Sequence, residues 1–88
     1  MKTFKLGFCV ITKNALKVLN SKDISIAMRR HKNCDWGDVG QEDKAANNAA
    51  LDNNNRILSA YHDSHGAKFW IITEADRSAT TILLPDDY

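Results

Sequence analysis

The 88-residue chain has little cysteine, proline or glycine, with two, one and four residues respectively. Two cysteines are too few for the disulfide framework of a small secreted domain, so we expect a reducing, cytoplasmic environment. No uninterrupted apolar run exceeds four residues, whereas about 20 are needed to cross a bilayer, so we expect no membrane partner. Lys2 and Lys5 precede no apolar stretch of signal-peptide length, and no secretory signal is predicted.

Charge is balanced overall but unevenly distributed along the chain. The formal net charge is +1, and hydrophobic residues make up 43% of the sequence, which predicts one globular domain over residues 1–88. Residues 1–33 carry eight cationic side chains and one carboxylate, whereas residues 34–88 carry four cationic side chains and ten carboxylates. This asymmetry predicts a basic patch for phosphate or an acidic protein, unless the two halves are solvated surfaces that attract each other.

The hydrophobic pattern predicts one strand followed by three helices in the first two thirds of the chain. Residues 4–11 alternate and then become apolar, as in a strand that enters a core. Thr12 and Ser21 are good caps for two helices, and the second has an apolar stripe. The stripe consists of Ile24, Ala27, Met28 and His31. A loop over 33–40 and a helix over 41–51, ended by asparagines, follow.

The last third predicts three antiparallel strands, over 56–62, 67–73 and 79–84, with a four-residue hairpin loop at 63–66. The fold class is therefore α+β with the order β-α-α-α-β-β-β. We expect the C-terminal meander and the N-terminal strand to share one sheet, with the helices on one face.

Both faces of that sheet are predicted to be apolar. The first expected face contains Tyr61, Trp70, Ile72 and Leu83. The second contains Leu58, Ala60, Phe69, Ile71, Ile82 and Leu84. Because three short helices cover only one face well, either a helix wraps around to the second face or a partner chain covers it, and we favour a homodimer through the sheet face.

Candidate metal ligands occur as two pairs, His31 with Cys34 and His62 with His65. Together they offer four zinc-competent groups, but the paired cysteines of a strong zinc signal are missing. The prediction is therefore no metal and no cofactor, with Cys9 a buried small hydrophobe in its strand.

Two clusters of carboxylates have both a chemical and a structural interpretation. Glu74 and Arg77, with Asp76 between them, are suited to acid–base and phosphate chemistry with His62, or to an ion pair that pins a turn. Asp35 and Asp38 flank Trp36-Gly37 and are suited to a divalent cation, or to capping both the helix that begins at Gln41 and its loop while Trp36 fills the core. No phosphate-binding glycine loop or nucleophile elbow occurs in the sequence.

The sequence resembles a family of small bacterial proteins that are labelled plasmid-related. The resemblance is carried by His31, residues 35–38, Asp43, residues 56–61, residues 70–78 and residues 81–88. Cys34 and Asn54 stand where that pattern usually has glycine. The resemblance implies a mobile-element association and no mechanism.

The matched polar residues are His31, Asp35, Asp38, Arg56, Tyr61, Glu74, Asp76 and Arg77. We expect them to converge at one end of the sheet, where the loop over 34–40 meets the turn over 74–78.

Two functions follow from these residues. The first is a small cytoplasmic binding or regulatory protein, with a protein or nucleic acid as its partner. Its basic helix, with Lys22, Arg29, Arg30 and Lys32, binds the acidic partner. The alternative is a small RNase similar in element order to RelE-type toxins. In that hypothesis the catalytic residues are His62, Glu74, Arg77 and Tyr61.

Overall fold

A computed structural model describes residues 3–88 of the chain. Its elements are β1 (Phe8–Ile11), α1 (Lys13–Val18), α2 (Ser21–Lys32), α3 (Gln41–Asn53), β2 (Ile57–His62), β3 (Lys68–Thr73), β4 (Ala79–Leu83) and a 3-10 turn at Pro85–Asp87. The predicted α+β class and element order are confirmed. The four strands form one sheet in the order β1-β4-β3-β2, in which β1 runs parallel to β4 and the other neighbours are antiparallel.

Local side-chain hydrogen bonds set the helix boundaries. The Thr12 hydroxyl accepts from the backbone N–H of Ala15 at 3.1 Å and caps α1 as predicted. Asn20 caps α2 by accepting from Asp23 N–H at 2.8 Å, so the expected cap at Ser21 is wrong by one residue. Asn54 ends α3 in the left-handed conformation that asparagine tolerates.

Strand β1 is shorter than predicted because Gly7 interrupts it. Gly7 has φ +65°, and a Cβ at this position would lie 2.3 Å from the carbonyl oxygen of Ser78, so a larger residue does not fit. The segment before Gly7 turns toward the helices, where Phe4 packs edge-on against His31. Cys9 is exposed, which makes the prediction of a buried thiol wrong, because β1 lies at the border of the sheet.

The hairpin between β2 and β3 has a five-residue loop, over 63–67, rather than the predicted four. His62 pairs with Lys68. The loop is ordered by Asp63, whose carboxylate accepts from the backbone N–H groups of His65 at 2.9 Å and Ala67 at 2.7 Å. The extra loop residue shifts the pairing of β2 with β3 by one residue from the predicted register. Side chains of β2 that were predicted for one face of the sheet therefore lie on the other face.

The predicted faces of β3 and β4 are consistent with the observed pairing, but the predicted faces of β2 are wrong. Tyr61 pairs with Phe69 and lies on the helix side, whereas Leu58 and Ala60 pair with Ile72 and Trp70 on the outer side. The core under α1 and α2 consists of Ala15, Leu19, Ala27, Tyr61, Phe69, Ile71 and Ile82.

The free edge of β2 is covered by non-strand groups. The Asn47 side chain of α3 donates to the carbonyl oxygen of Leu58 at 2.7 Å and accepts from its N–H at 3.1 Å. Two residues further on, the backbone around Gly37 pairs with both polar groups of Ala60. Gly37 has φ +75°, and a Cβ there would lie 2.1 Å from the Ala60 oxygen. The β2 edge is therefore closed to further pairing.

Replacing Asn47 by alanine should destabilise the fold by roughly 1–3 kcal/mol, because both polar backbone groups of Leu58 lose their partner. The measurement is urea unfolding followed by circular dichroism. Asn53→Ala, at the exposed end of the same helix, is the matched control and should change stability by less than about 0.5 kcal/mol. Equal effects of the two substitutions would contradict the edge-closing role of Asn47.

Candidate functional site

His31 lies at the centre of a buried row of polar groups. Its side chain is fully buried, with Nδ1 2.5 Å from Ser59 Oγ on β2 and Nε2 2.8 Å from Thr73 Oγ1 on β3. Thr73 Oγ1 lies 2.7 Å from Thr80 Oγ1 on β4, and Thr80 donates to the carbonyl oxygen of Leu6 at 2.7 Å. One helix residue is thus connected to three strands and to the segment before β1.

The last acceptor of this row determines that His31 carries a proton on Nε2. A carbonyl oxygen only accepts, so the single hydroxyl proton of Thr80 goes to Leu6 and Thr73 must donate to Thr80. Thr73 then accepts from His31 Nε2–H. Burial lowers the pKa of His31 to about 4, so the imidazole is neutral at pH 7, and Nδ1, which then carries no proton, accepts from Ser59 Oγ.

The folded protein should lose stability between pH 6.5 and pH 4 because of His31. The folded-state pKa of about 4 lies below the ordinary 6.5, so in this range the unfolded chain binds the proton first and stability falls as pH falls. The total loss is about 3 kcal/mol at 1.36 kcal/mol per unit of pKa difference. The measurement is the unfolding free energy as a function of pH.

The paired assay is an NMR titration of the His31 imidazole, which should titrate near pH 4 in the folded protein. An ordinary titration of His31 near pH 6.5 would show that the row is open to solvent.

Arg30 is held on the surface of the domain rather than presented to a partner. Its Nε donates to the Asp35 carboxylate at 2.8 Å, and its guanidinium lies 4.8 Å from the centre of the Tyr61 ring. The Arg30 hydrogen bond lowers the pKa of Asp35. Tyr61 donates its hydroxyl to the carbonyl oxygen of Asp35 at 2.6 Å, and burial raises its pKa to about 12. Tyr61 is therefore a poor acid at neutral pH.

Asp35 and Asp38 do not cap α3, so that part of the prediction is wrong, whereas Asp35 does accept from the backbone N–H of Gly37 within the loop, at 3.3 Å. The residue before α3 is Gly40, which has no side chain to cap with. Asp38 Oδ2 instead lies 3.9 Å from His62 Nδ1, on the exposed surface. Trp36 is buried against Ala50 and Ile57, as predicted.

Arg77 fixes the end of α3 to the turn between β3 and β4. Its two terminal nitrogens donate to four carbonyl oxygens, those of Ala50 and Asn55 at 2.8 Å and those of Glu74 and Ala75 at 3.2 Å. Carbonyl oxygens at a helix C-terminus attract a cation. The predicted ion pair at this turn is therefore wrong, since Asp76 accepts from Ser78 N–H at 2.9 Å and the guanidinium binds backbone oxygens.

Arg77→Lys should destabilise the protein by roughly 1–3 kcal/mol, because an ammonium cannot reach four carbonyl groups in two elements. Thermal and urea unfolding provide the measurement. Arg56→Lys is the control, since Arg56 makes one exposed hydrogen bond, to Tyr88. If Arg77→Lys behaves like this control, the carbonyl contacts contribute little to stability.

The residues of the RNase hypothesis are not brought together. His62 is opposite Lys68 at one end of the hairpin, whereas Glu74 follows Thr73 at the other end. Six residues at 3.3 Å each separate the two ends by about 20 Å. Asp38 lies at the His62 end, while Asp76 and Arg77 belong to the turn at the other end. The expected convergence of the polar residues is therefore wrong.

The metal hypothesis gains no support from the geometry. Among residues 3–88, no three His, Cys, Asp or Glu side chains lie close enough to hold a metal ion. His31 uses both ring nitrogens in the buried row. The two candidate pairs therefore do not form one four-ligand site.

The solvent side of α2 carries an unpaired cationic row, which we call the α2 row: Lys22, Ile26, Arg29 and Lys32. All four residues are exposed, and the first three recur at i, i+4 and i+7. Within residues 3–88, none of the three cations has a carboxylate within ion-pair distance. The only acidic residue of α2, Asp23, faces the hairpin loop, where it accepts from Ser64.

The outer face of the sheet is partly covered by the end of the chain. Tyr88 packs edge-on against Trp70 at 5.8 Å, and the Arg56 guanidinium lies 5.5 Å from the Tyr88 ring centre. Ile72 and Leu83 are 3% and 5% exposed. The apolar centre of this face therefore has little area left for a partner.

Ser59, Thr73, Thr80 and Asn47 are structural polar residues that the sequence analysis missed. The available signal was the presence of small hydroxyl residues at inward strand positions among large apolar ones.

Comparisons with protein-family models, curated proteins and solved structures find no match to this chain. No helix within residues 3–88 is long and apolar enough to span a bilayer.

Proposed function

We propose that this chain is a small binding protein that docks an acidic protein partner on the α2 row. The observation that carries the proposal is the α2 row itself, in which three cations have no ion-pair partner among residues 3–88. Such a surface attracts a negatively charged partner and accelerates its association. As the cysteine content and the resemblance predict, we expect this role in a reducing cytoplasm and in association with a mobile element.

The α2 row favours a protein over a nucleic acid because of its apolar member. Ile26 is 47% exposed between Lys22 and Arg29. Protein interfaces combine an apolar centre with a polar rim, whereas phosphate contacts use cationic and polar groups. The net charge of +1 also differs from the strongly basic character of nucleic-acid-binding domains.

Arg30 is not part of this proposed surface, although it belongs to the same helix. Its guanidinium is already occupied by Asp35 and stacked on Tyr61. The expected contributors are therefore Lys22, Arg29 and Lys32.

A photo-reactive amino acid at position 26 should capture the partner in cells of the source organism, and mass spectrometry identifies it. With the purified pair, Lys22→Glu combined with Arg29→Glu should weaken binding at least about tenfold, a loss of 1.4 kcal/mol. Lys44→Glu combined with Lys68→Glu makes the same charge change away from the α2 row and should leave the affinity unchanged. Isothermal titration calorimetry gives both affinities.

Two outcomes would overturn this function. One is a captured partner that binds the charge-reversed and wild-type proteins equally. The other is binding of random-sequence DNA or RNA in fluorescence anisotropy that weakens steeply with salt and disappears in the charge-reversed variant. The latter result would assign the α2 row to nucleic acid.

A further inference from the structure

A cleft of about 660 Å³ lies between three separate parts of the chain. Phe4, Leu6 and Gly7 line it from the segment before β1, Lys32 from the last turn of α2, and Arg77 from the turn between β3 and β4. Small-molecule sites typically have volumes of about 300–1,000 Å³. The cleft therefore has the size of a site for a small organic ligand.

The wall of this cleft is fixed by contacts within the domain. A Cβ at Gly7 would lie 2.5 Å from the carbonyl oxygen of Arg77, so only glycine lets the two segments approach this closely. One residue earlier, the carbonyl oxygen of Leu6 accepts from the Thr80 hydroxyl at 2.7 Å. The segment before β1 is therefore held against the sheet, and the cleft is part of the fold.

The charged side chains that line the cleft are all cationic: Lys5, Lys32 and Arg77. No aspartate or glutamate of residues 3–88 lines it, and within this range none of the three cations has a carboxylate at ion-pair distance. Arg77 donates to carbonyl oxygens, which are neutral groups and leave its charge in place. Concave surfaces with charge of one sign concentrate ions of the opposite sign, so this cleft attracts an anion.

The cleft also contains hydrogen-bond donors that have no acceptor. Lys5 and Gly7 are exposed, and their backbone N–H groups donate to no group among residues 3–88. Each lysine ammonium adds three further donors. Phosphate groups are bound in proteins by this combination of backbone N–H groups and cationic side chains.

We propose that this cleft binds a small organic molecule that carries a phosphate group. The phosphate lies between the ammonium groups of Lys5 and Lys32, where its oxygens accept from several donors at once. The organic part contacts Phe4 and Leu6, the apolar residues of the lining. A lone inorganic phosphate makes none of these apolar contacts and is therefore the weaker ligand.

This site differs from the α2 row, although Lys32 contributes to both. The α2 row lies on the convex solvent side of a helix, where a second protein can contact it. The cleft is concave and contains two cations, Lys5 and Arg77, that are not part of that row. The proposal therefore goes beyond the proposed function and does not depend on it.

An NMR titration of the ¹⁵N-labelled full chain tests the site. The probes are phosphorylated sugars, nucleotides and amino acids, each paired with its unphosphorylated form, together with inorganic phosphate. At least one organic phosphate should shift the amide signals of Lys5 and Gly7 at micromolar to millimolar concentration. Its unphosphorylated form should leave them unchanged, and inorganic phosphate should bind more weakly.

Lys5→Gln combined with Lys32→Gln should weaken this binding at least about tenfold, because two charged donors are lost. Lys13→Gln combined with Lys17→Gln makes the same charge change at exposed positions of α1 outside the cleft and is the matched control. Circular dichroism confirms that both variants fold. Lys5→Gln alone should weaken phosphate binding and leave the affinity for a partner on the α2 row unchanged, which separates the two proposals.

Three results would overturn the proposal: no organic phosphate shifts these signals, phosphorylated and unphosphorylated forms bind equally, or the Lys5 and Lys32 double variant binds like the wild type. Binding of a single-stranded oligonucleotide in the cleft, with no small phosphate bound, would also overturn it and would assign the cleft to nucleic acid.

Discussion

The position of α2 on the sheet depends on the fully satisfied hydrogen bonds of His31. Burying an imidazole and three hydroxyl groups is costly unless every donor and acceptor is paired. Here each group has a partner, and the row ends on the carbonyl oxygen of Leu6. Apolar contacts between α2 and the sheet would tolerate small shifts, but these hydrogen bonds do not, since a displaced helix would leave several buried groups unsatisfied.

The surface chemistry of the domain is a consequence of that position. With His31 pointing into the sheet, the helical period places Lys22, Ile26 and Arg29 toward solvent. Arg30, one position beyond Arg29, lies beside Tyr61 and Asp35 and is withdrawn from the exposed row. The α2 row and His31 therefore lie on opposite sides of the same helix. A rotation of α2 about its axis would move both of them.

Much of the fold was predictable from local patterns, because these elements carry strong signals of their own. The stripe of α2 identified His31 as an inward residue, Asn54 marked the end of α3, and the apolar runs gave all four strands. Long-range information was harder to obtain. The loop length depends on how the Asp63 carboxylate binds nearby N–H groups, and one residue there exchanged the faces of β2. The predicted convergence of the polar residues was wrong because it also depended on strand register. Glu74 and His62 belong to opposite ends of the paired strands β2 and β3, and only the register shows this.

The two edges of the sheet show a difference that composition alone does not explain. At β2 the chain uses an asparagine side chain and a glycine-containing segment to occupy the outward backbone groups. At β1 it leaves such groups without a partner from residues 3–88 and places Phe8, the most exposed of the large apolar side chains described, next to them. Natural sheets usually protect open edges with charge, proline or a covering segment. The charges near β1, Lys5 and Lys13, lie outside the strand rather than within it. Because the outward backbone groups of Leu58 and Ala60 have partners, whereas no residue from 3 to 88 pairs with those of Cys9 and Ile11, the two edges of this sheet differ in protection as well as in position.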